Sequence, residues 1–110
     1  MEFIYLPGFV RKLKEYAKKY PSLKKDFEAL INQLQLYPQS GTPLGKDCFK
    51  IRLAIKSKGK GKSGGARIIT CVKIVDSRVY FLTIYDKSEQ ATISDLDLKI
   101  FIEYIQKYPK

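Results

Sequence analysis

Apolar residues recur along this chain with two different periods, helical in the first third and strand-like in the middle. Glu2 to Leu6 reads as a short strand ended by Pro7-Gly8. From Phe9 the spacing becomes helical: Phe9, Leu13, Tyr16, Ala17 and Tyr20 recur at intervals of three and four, with Arg11, Lys12, Lys14, Lys18 and Lys19 around them. Pro21 breaks this helix. Ser22 can cap a second one, whose apolar stripe is Leu23, Phe27, Leu30, Ile31 and Leu34. Two helices joined at a proline turn make an αα-hairpin. The run from Pro38 to Gly45 is rich in breakers and reads as a loop.

The period then changes to two. In Phe49 to Lys56 the apolar residues are Phe49, Ile51, Leu53 and Ile55, and Lys50, Arg52 and Lys56 lie between them. In Ala66 to Val75 one face holds Ala66, Ile68, Thr70, Val72 and Ile74, and the other holds Arg67, Cys71 and Lys73. Such alternation predicts one face in the core and one face wet. Asp76-Ser77 reads as a tight turn. Val79 to Lys87 is nearly all apolar, as expected of a central strand covered on both sides. Ser94 opens a last helix as Ser-Asp-Leu-Asp, with acids in its first turn. Its apolar residues are Leu98, Phe101, Ile102, Ile105 and Tyr108, and the first four are expected to dock it on the sheet. The order β-α-α-β-β-β-α predicts one α+β domain over residues 1–110, an antiparallel β-sheet with an N-terminal αα-hairpin and a C-terminal helix.

Charge adds a functional direction. Lys plus Arg number 21 against 11 acids, for a formal net charge of +10. Residues 48–67 carry Lys50, Arg52, Lys56, Lys58, Lys60, Lys62 and Arg67 and no acid. Like charges packed this closely repel one another, so they point to a polyanionic partner, nucleic acid first. A solvated lysine–glycine hairpin tip is the plainer reading of the same residues. Gly59, Gly61, Gly64 and Gly65 let the backbone bend and approach a phosphate. Gly61-Lys62-Ser63 is not a P-loop, because Lys56 stands where its first glycine belongs and strands flank it on both sides.

Composition closes other routes. The chain has no histidine, which removes His-based acid–base catalysis and His-ligated metals. Its two cysteines lack a CxxC spacing, so no metal site and no cofactor are expected, and they read as small reduced fillers. No N-terminal segment resembles a signal peptide and no apolar run approaches a membrane span, which makes the cytoplasm the expected compartment.

A hairpin closing around residues 59 and 60 pairs Arg52 with Arg67 and Cys48 with Cys71, all on the polar face. Like charges directly opposite are destabilising, so the two arginines either tilt apart into solvent or share an anionic ligand. Strict alternation in the last strand sends Phe81, Thr83, Tyr85 and Lys87 one way, toward that face. Tyr85 offers a phenol and a stacking surface, and Lys87 a cation. A core tyrosine with a surface Lys–Glu pair is the alternative.

With these residues in view, the chain resembles the RelE/ParE superfamily of bacterial toxin–antitoxin toxins over essentially its whole length. The element order matches, as does the loop Pro-Xaa-Xaa-Gly-Thr-Pro-Leu-Gly. The run Lys-Ser-Gly-Gly-Ala-Arg before a strand, and a later strand ending Ile-Tyr-Asp-Lys-Ser-Glu, are similar to the RelE/HigB-type subset. The resemblance implies an endoribonuclease that cuts mRNA at the ribosome and is held in check by an acidic antitoxin. It places Lys50 and Arg52 on the family's basic pair, Arg67 on its arginine at the start of the next strand, and Lys87 on a basic position ending the last strand. A second RelE arginine falls on Ser88, and the RelE tyrosine near the last helix falls on Ser94.

Metal-free RNA cleavage uses the ribose 2′-OH as nucleophile. It needs a base, charge for the developing phosphorane and an acid for the leaving 5′-oxygen. Those roles fall to Lys50 or Lys87 as base, Arg52 and Arg67 as phosphate clamps, and Tyr85 as a stacking surface or proton donor. Lys56, Lys58, Lys60 and Lys62 are the expected RNA contacts of the loop. A ParE-like gyrase inhibitor, which binds protein and does not cut RNA, is the rival within the superfamily. A catalytically decayed basic nucleic-acid-binding module is the third reading.

Overall fold

The computed structural model describes residues 1–59 and 64–107. Its elements are β1 (Glu2–Tyr5), α1 (Pro7–Lys19), α2 (Leu23–Leu36), β2 (Thr42–Gly45), β3 (Cys48–Leu53), a 3-10 turn (Lys56–Lys58), β4 (Ala66–Lys73), β5 (Arg78–Asp86) and α3 (Asp95–Gln106). The five strands form one sheet in the order β1-β5-β4-β3-β2. The meander β3-β4-β5 is antiparallel, and between β4 and β5 the short turn 74–77 requires it. The sheet is nevertheless mixed, because β1 lies parallel to β5 at one edge, with Glu2 opposite Arg78 and Tyr5 opposite Phe81.

The other edge corrects the reading of Pro38 to Gly45 as a loop. Thr42 to Gly45 pair with β3, Thr42 facing Lys50 and Gly45 facing Cys48. The hairpin turns through Lys46 and Asp47, both at positive φ (54° and 66°), the type I′ geometry that suits a two-residue connection. Pro43 is tolerated because an edge strand needs no second hydrogen-bonding side. β4 ends at Lys73, which leaves Ile74 in the following turn and half exposed rather than on the strand face.

Both faces of the sheet are covered. α1 and α2 pack over Ile51, Leu53, Ile68, Val72, Val79, Phe81 and Ile84 through Phe9, Leu23, Leu30 and Leu34. α3 packs over Cys48, Ile69, Cys71, Tyr80, Leu82 and Tyr85 through Leu98, Ile102 and Ile105. The face expected to be wet is therefore a second core. Cys48 and Cys71 face each other within it as free, buried thiols. The neighbouring Cys71 thiol and burial push the Cys48 thiol well above its ordinary pKa.

Ser94 caps α3, its hydroxyl accepting from the Asp97 N–H at 3.0 Å. Phe101 is only half buried, whereas Leu98, Ile102 and Ile105 are inside. Ile102→Ala is therefore expected to cost about 2–5 kcal/mol. Phe101→Ala should cost distinctly less, contrary to the ranking that ring size alone implies. Urea unfolding midpoints of the two variants check this, and a larger loss for Phe101 would show the helix seated differently.

Candidate functional site

Register brings the predicted residues together. Arg52 faces Arg67 across β3 and β4, and Arg67 faces Tyr85 across β4 and β5. In the next row Lys50 faces Ile69, which faces Thr83. Directly opposed residues share a sheet face. Lys50, Arg52, Arg67, Thr83 and Tyr85 thus all belong to the α3 side, at the end where β3 meets the basic loop.

A bulge decides which part of β5 joins them. The register slips between Ile69 and Thr70, so that Ile69 faces Thr83 but Thr70 faces Phe81, and Leu82 has no opposite number. The alternation of β5 reverses there. Phe81 consequently lies in the α1/α2 core and Tyr85 in the α3 core, on opposite faces rather than on one.

Depth separates the site residues. Arg67 is only 3% exposed, the only buried Lys or Arg among the described residues. One of its guanidinium nitrogens donates to the Ala66 carbonyl at 3.2 Å. Tyr85 is 1% exposed and offers no free ring face for a base. Among the described residues its hydroxyl meets no hydrogen-bond partner of good geometry, although the Thr92 side chain lies near it. Burial raises the Tyr85 pKa, against the opposing pull of Thr92 and of the Arg67 charge. Arg52 and Lys87 are exposed and Lys50 half-exposed, so these three are the reachable cations. Lys87 follows β5 directly, its N–H donating to the Gly65 carbonyl at 3.1 Å.

The basic loop is anchored at its base by two buried carboxylates that charge counting alone missed. Asp26, 6% exposed, accepts from the Ser22 hydroxyl at 2.7 Å and from the Lys56 N–H at 3.1 Å. Ser22 does not cap α2 through its side chain; its oxygen instead accepts from the Ser57 N–H at 2.8 Å. Asp86, 1% exposed, accepts from Lys58 Nζ at 2.8 Å, the Tyr20 hydroxyl at 2.8 Å, and the Ser88 N–H and hydroxyl at 2.9 and 2.8 Å. Burial alone would raise the Asp86 pKa, but these donors outweigh it and hold the carboxyl well below the usual carboxylate range. Lys58 also lies over the Tyr20 ring, 5.2 Å from its centroid.

Lys58 is therefore engaged in a buried ion pair rather than extended toward solvent as a loop contact. Lys56 remains exposed, and Lys60 and Lys62 lie outside the described residues. Gly65 serves the backbone and not a ligand, since a Cβ there would run into the Leu53 carbonyl oxygen. Of the alternative reading, the core tyrosine holds for Tyr85, but among the described residues Lys87 and Glu89 do not pair, and Glu89 accepts from the Tyr16 hydroxyl at 2.7 Å. Burial and Glu89 together push the Tyr16 phenol up to about 12. A legible signal for Asp86 did exist: Asp-Xaa-Ser leaving a strand is the pattern of a side chain closing its own turn.

Among the described residues no group of His, Cys, Asp or Glu side chains could hold a metal ion, and no helix is long and apolar enough to cross a membrane. The structure superposes on that of a double arginine-to-alanine mutant of the E. coli toxin RelE in the free state. The TM-score is 0.62 at 11% identity, covering 94% of this chain and 96% of that one, a likeness of fold. The family model for the RelE toxin of the RelE/RelB toxin–antitoxin system matches residues 10–110. With nearly the whole chain matched and the same fold present, this protein belongs to the RelE toxin family, the toxin side of a toxin–antitoxin pair.

Proposed function

We propose that this toxin is a metal-independent endoribonuclease that cuts mRNA at the ribosome, in the cytoplasm, and that an acidic antitoxin neutralises it. The observation that carries the reading is the cross-strand row Arg52–Arg67–Tyr85 with Lys50 diagonal to it. Arg52 is the exposed phosphate contact. Arg67 lies beneath as a fixed positive charge, where low dielectric strengthens its pull on a developing phosphorane. Tyr85 supports Arg67 from the neighbouring strand rather than stacking on a base. Lys50 and Lys87 are the amines free to approach the reacting atoms, one in its neutral form taking the 2′-OH proton and the other, protonated, giving one to the leaving 5′-oxygen. A ribosome supplies the substrate positioning that so small a surface lacks.

Two features support the antitoxin. The net charge of +10 attracts an acidic segment and steers its encounter. The outer side of α3 exposes Leu96, Ile100 and Tyr104 at helical spacing, an apolar stripe of the kind a partner covers.

The test is primer-extension mapping of cellular mRNA after induction without antitoxin. Wild type should arrest growth and produce cuts inside translated messages. Arg52→Ala, at an exposed position, should reduce cutting about 100-fold with the unfolding midpoint unchanged. Growth arrest with intact mRNA and trapped gyrase–DNA complexes would establish the ParE-like reading instead. Intact mRNA with no arrest would establish the decayed module.

A further inference from the structure

β3 is longer than the edge strand that covers it. β2 pairs with it only as far as Lys50, opposite Thr42, while β3 runs on to Leu53. Beyond that point a cleft of about 380 Å³ opens between the uncovered edge and α2. Its lining includes the apolar residues Ala29, Leu30, Ile51 and Leu53 and the cationic residues Lys25, Lys50, Arg52 and Lys56. Asp26 is the one acid that lines it, and that carboxylate already accepts from Ser22 and from the Lys56 N–H. Among the described residues none of the four cations has an ion-pair partner.

We propose that this cleft is a second binding subsite for single-stranded RNA, holding a nucleotide that flanks the one at the Arg52–Arg67 row. The inference rests on the ribonuclease reading and adds a path to it. Lys50 and Arg52 belong to both places: their cross-strand partners lie on the α3 side, and they also line the cleft on the α2 side. A strand crossing the bare edge of β3 meets them first and then reaches Lys25 and Lys56. The chemistry fits a nucleotide, with an apolar floor for a base and a cationic rim for phosphates. It excludes a duplex, whose paired bases could not enter a cleft of this size.

The probe is a 2′-O-methylated oligonucleotide, which lacks the nucleophile and cannot be cut. One form is about eight nucleotides long, within the range of a single-strand site; the other is a trinucleotide, too short to span both places. Fluorescence anisotropy at several salt concentrations compares wild type with Lys25→Gln/Lys56→Gln, both exposed positions. The double variant should lower the salt slope for the longer strand by about 1.4, two lost phosphate contacts at about 0.7 each. Its affinity for the trinucleotide should stay at the wild-type value. Equal binding of the longer strand by both proteins at every salt concentration overturns the subsite, as does failure of wild type to bind it, or an equal loss for the trinucleotide. If the slope falls as expected while cellular mRNA stays whole, the cleft stands and the nuclease reading fails.

Discussion

Replacing Asp86 by alanine is expected to destabilise the protein by about 3–5 kcal/mol, the range for breaking a buried ion pair. The carboxylate is almost out of solvent, and the Lys58 side chain that it holds is 11% exposed. Removal leaves a nearly buried ammonium without its counterion and leaves the Tyr20 hydroxyl and both Ser88 donors without an acceptor. Asp86→Asn should fall between, because it keeps an acceptor and loses the charge. Lys58→Ala should also destabilise, unlike neutralisation of the exposed Lys56. The dependence on pH has a definite sign. The folded-state pKa is depressed below the unfolded value of about 3.9, so the contribution is complete above that value. It is lost as pH falls through the folded-state pKa. The stability gap between wild type and Asp86→Ala should therefore be widest at neutral pH and shrink once the medium is more acid than about pH 4. Urea melts of both proteins from neutral to acid pH check this. A gap independent of pH would mean that packing, not charge, carries the effect. Because Asp86 ends β5 and holds both Lys58 and Ser88, its loss should also loosen the base of the basic loop.

Phe81→Ala should be comparably damaging, again about 3–5 kcal/mol. The ring is fully buried and touches four others: Phe3 at 5.8 Å, Tyr5 at 4.9 Å, Phe9 at 5.2 Å and Phe27 at 5.6 Å between centroids. These rings come from β1, α1 and α2, so one side chain on β5 ties three other elements to the sheet. Each aromatic pair contributes about 0.5–1.5 kcal/mol beyond its buried area, which places the loss at the upper end. Phe81→Leu should cost less, since it keeps most of the volume. The check is the midpoint of urea unfolding with an unchanged slope. A loss under about 1 kcal/mol would mean that the four remaining rings close the gap.

The two substitutions show how differently the residues of β5 could be read. Phe81 was legible as apolar but not as a member of the helix-hairpin core. Strict alternation joins it to Tyr85, and only the bulge at Leu82 separates them. A bulge is chosen by how two strands fit, so one strand's own pattern does not announce it. Asp86 was legible only as a polar residue ending a strand. Its importance comes from Tyr20 and Lys58, which lie 66 and 28 residues away. The edge strand β2 was hidden for a similar reason: Gly and Pro have weak strand propensity, and its pairing with β3 overrides that.

Local geometry was enough to specify the face-sharing of Arg52 and Arg67, the facing of Cys48 and Cys71, the proline break between α1 and α2, and the Ser94 cap. Side chains alternate every two residues in a strand and recur every 3.6 in a helix, and both are properties of the backbone alone. Antiparallel pairing about the middle of the glycine-rich connection then fixes which residues of β3 and β4 face each other. Exposure and partnership were decided only when distant segments met. α3 turned the face expected to be wet into a second core and took Arg67 and Tyr85 out of solvent. Asp86 drew Lys58 down from a loop that charge density alone presents as free, and β1 found a parallel partner in β5. The physical reason is range: periodicity acts over one or two turns of chain, whereas burial and ion pairing depend on which surfaces the completed fold brings together.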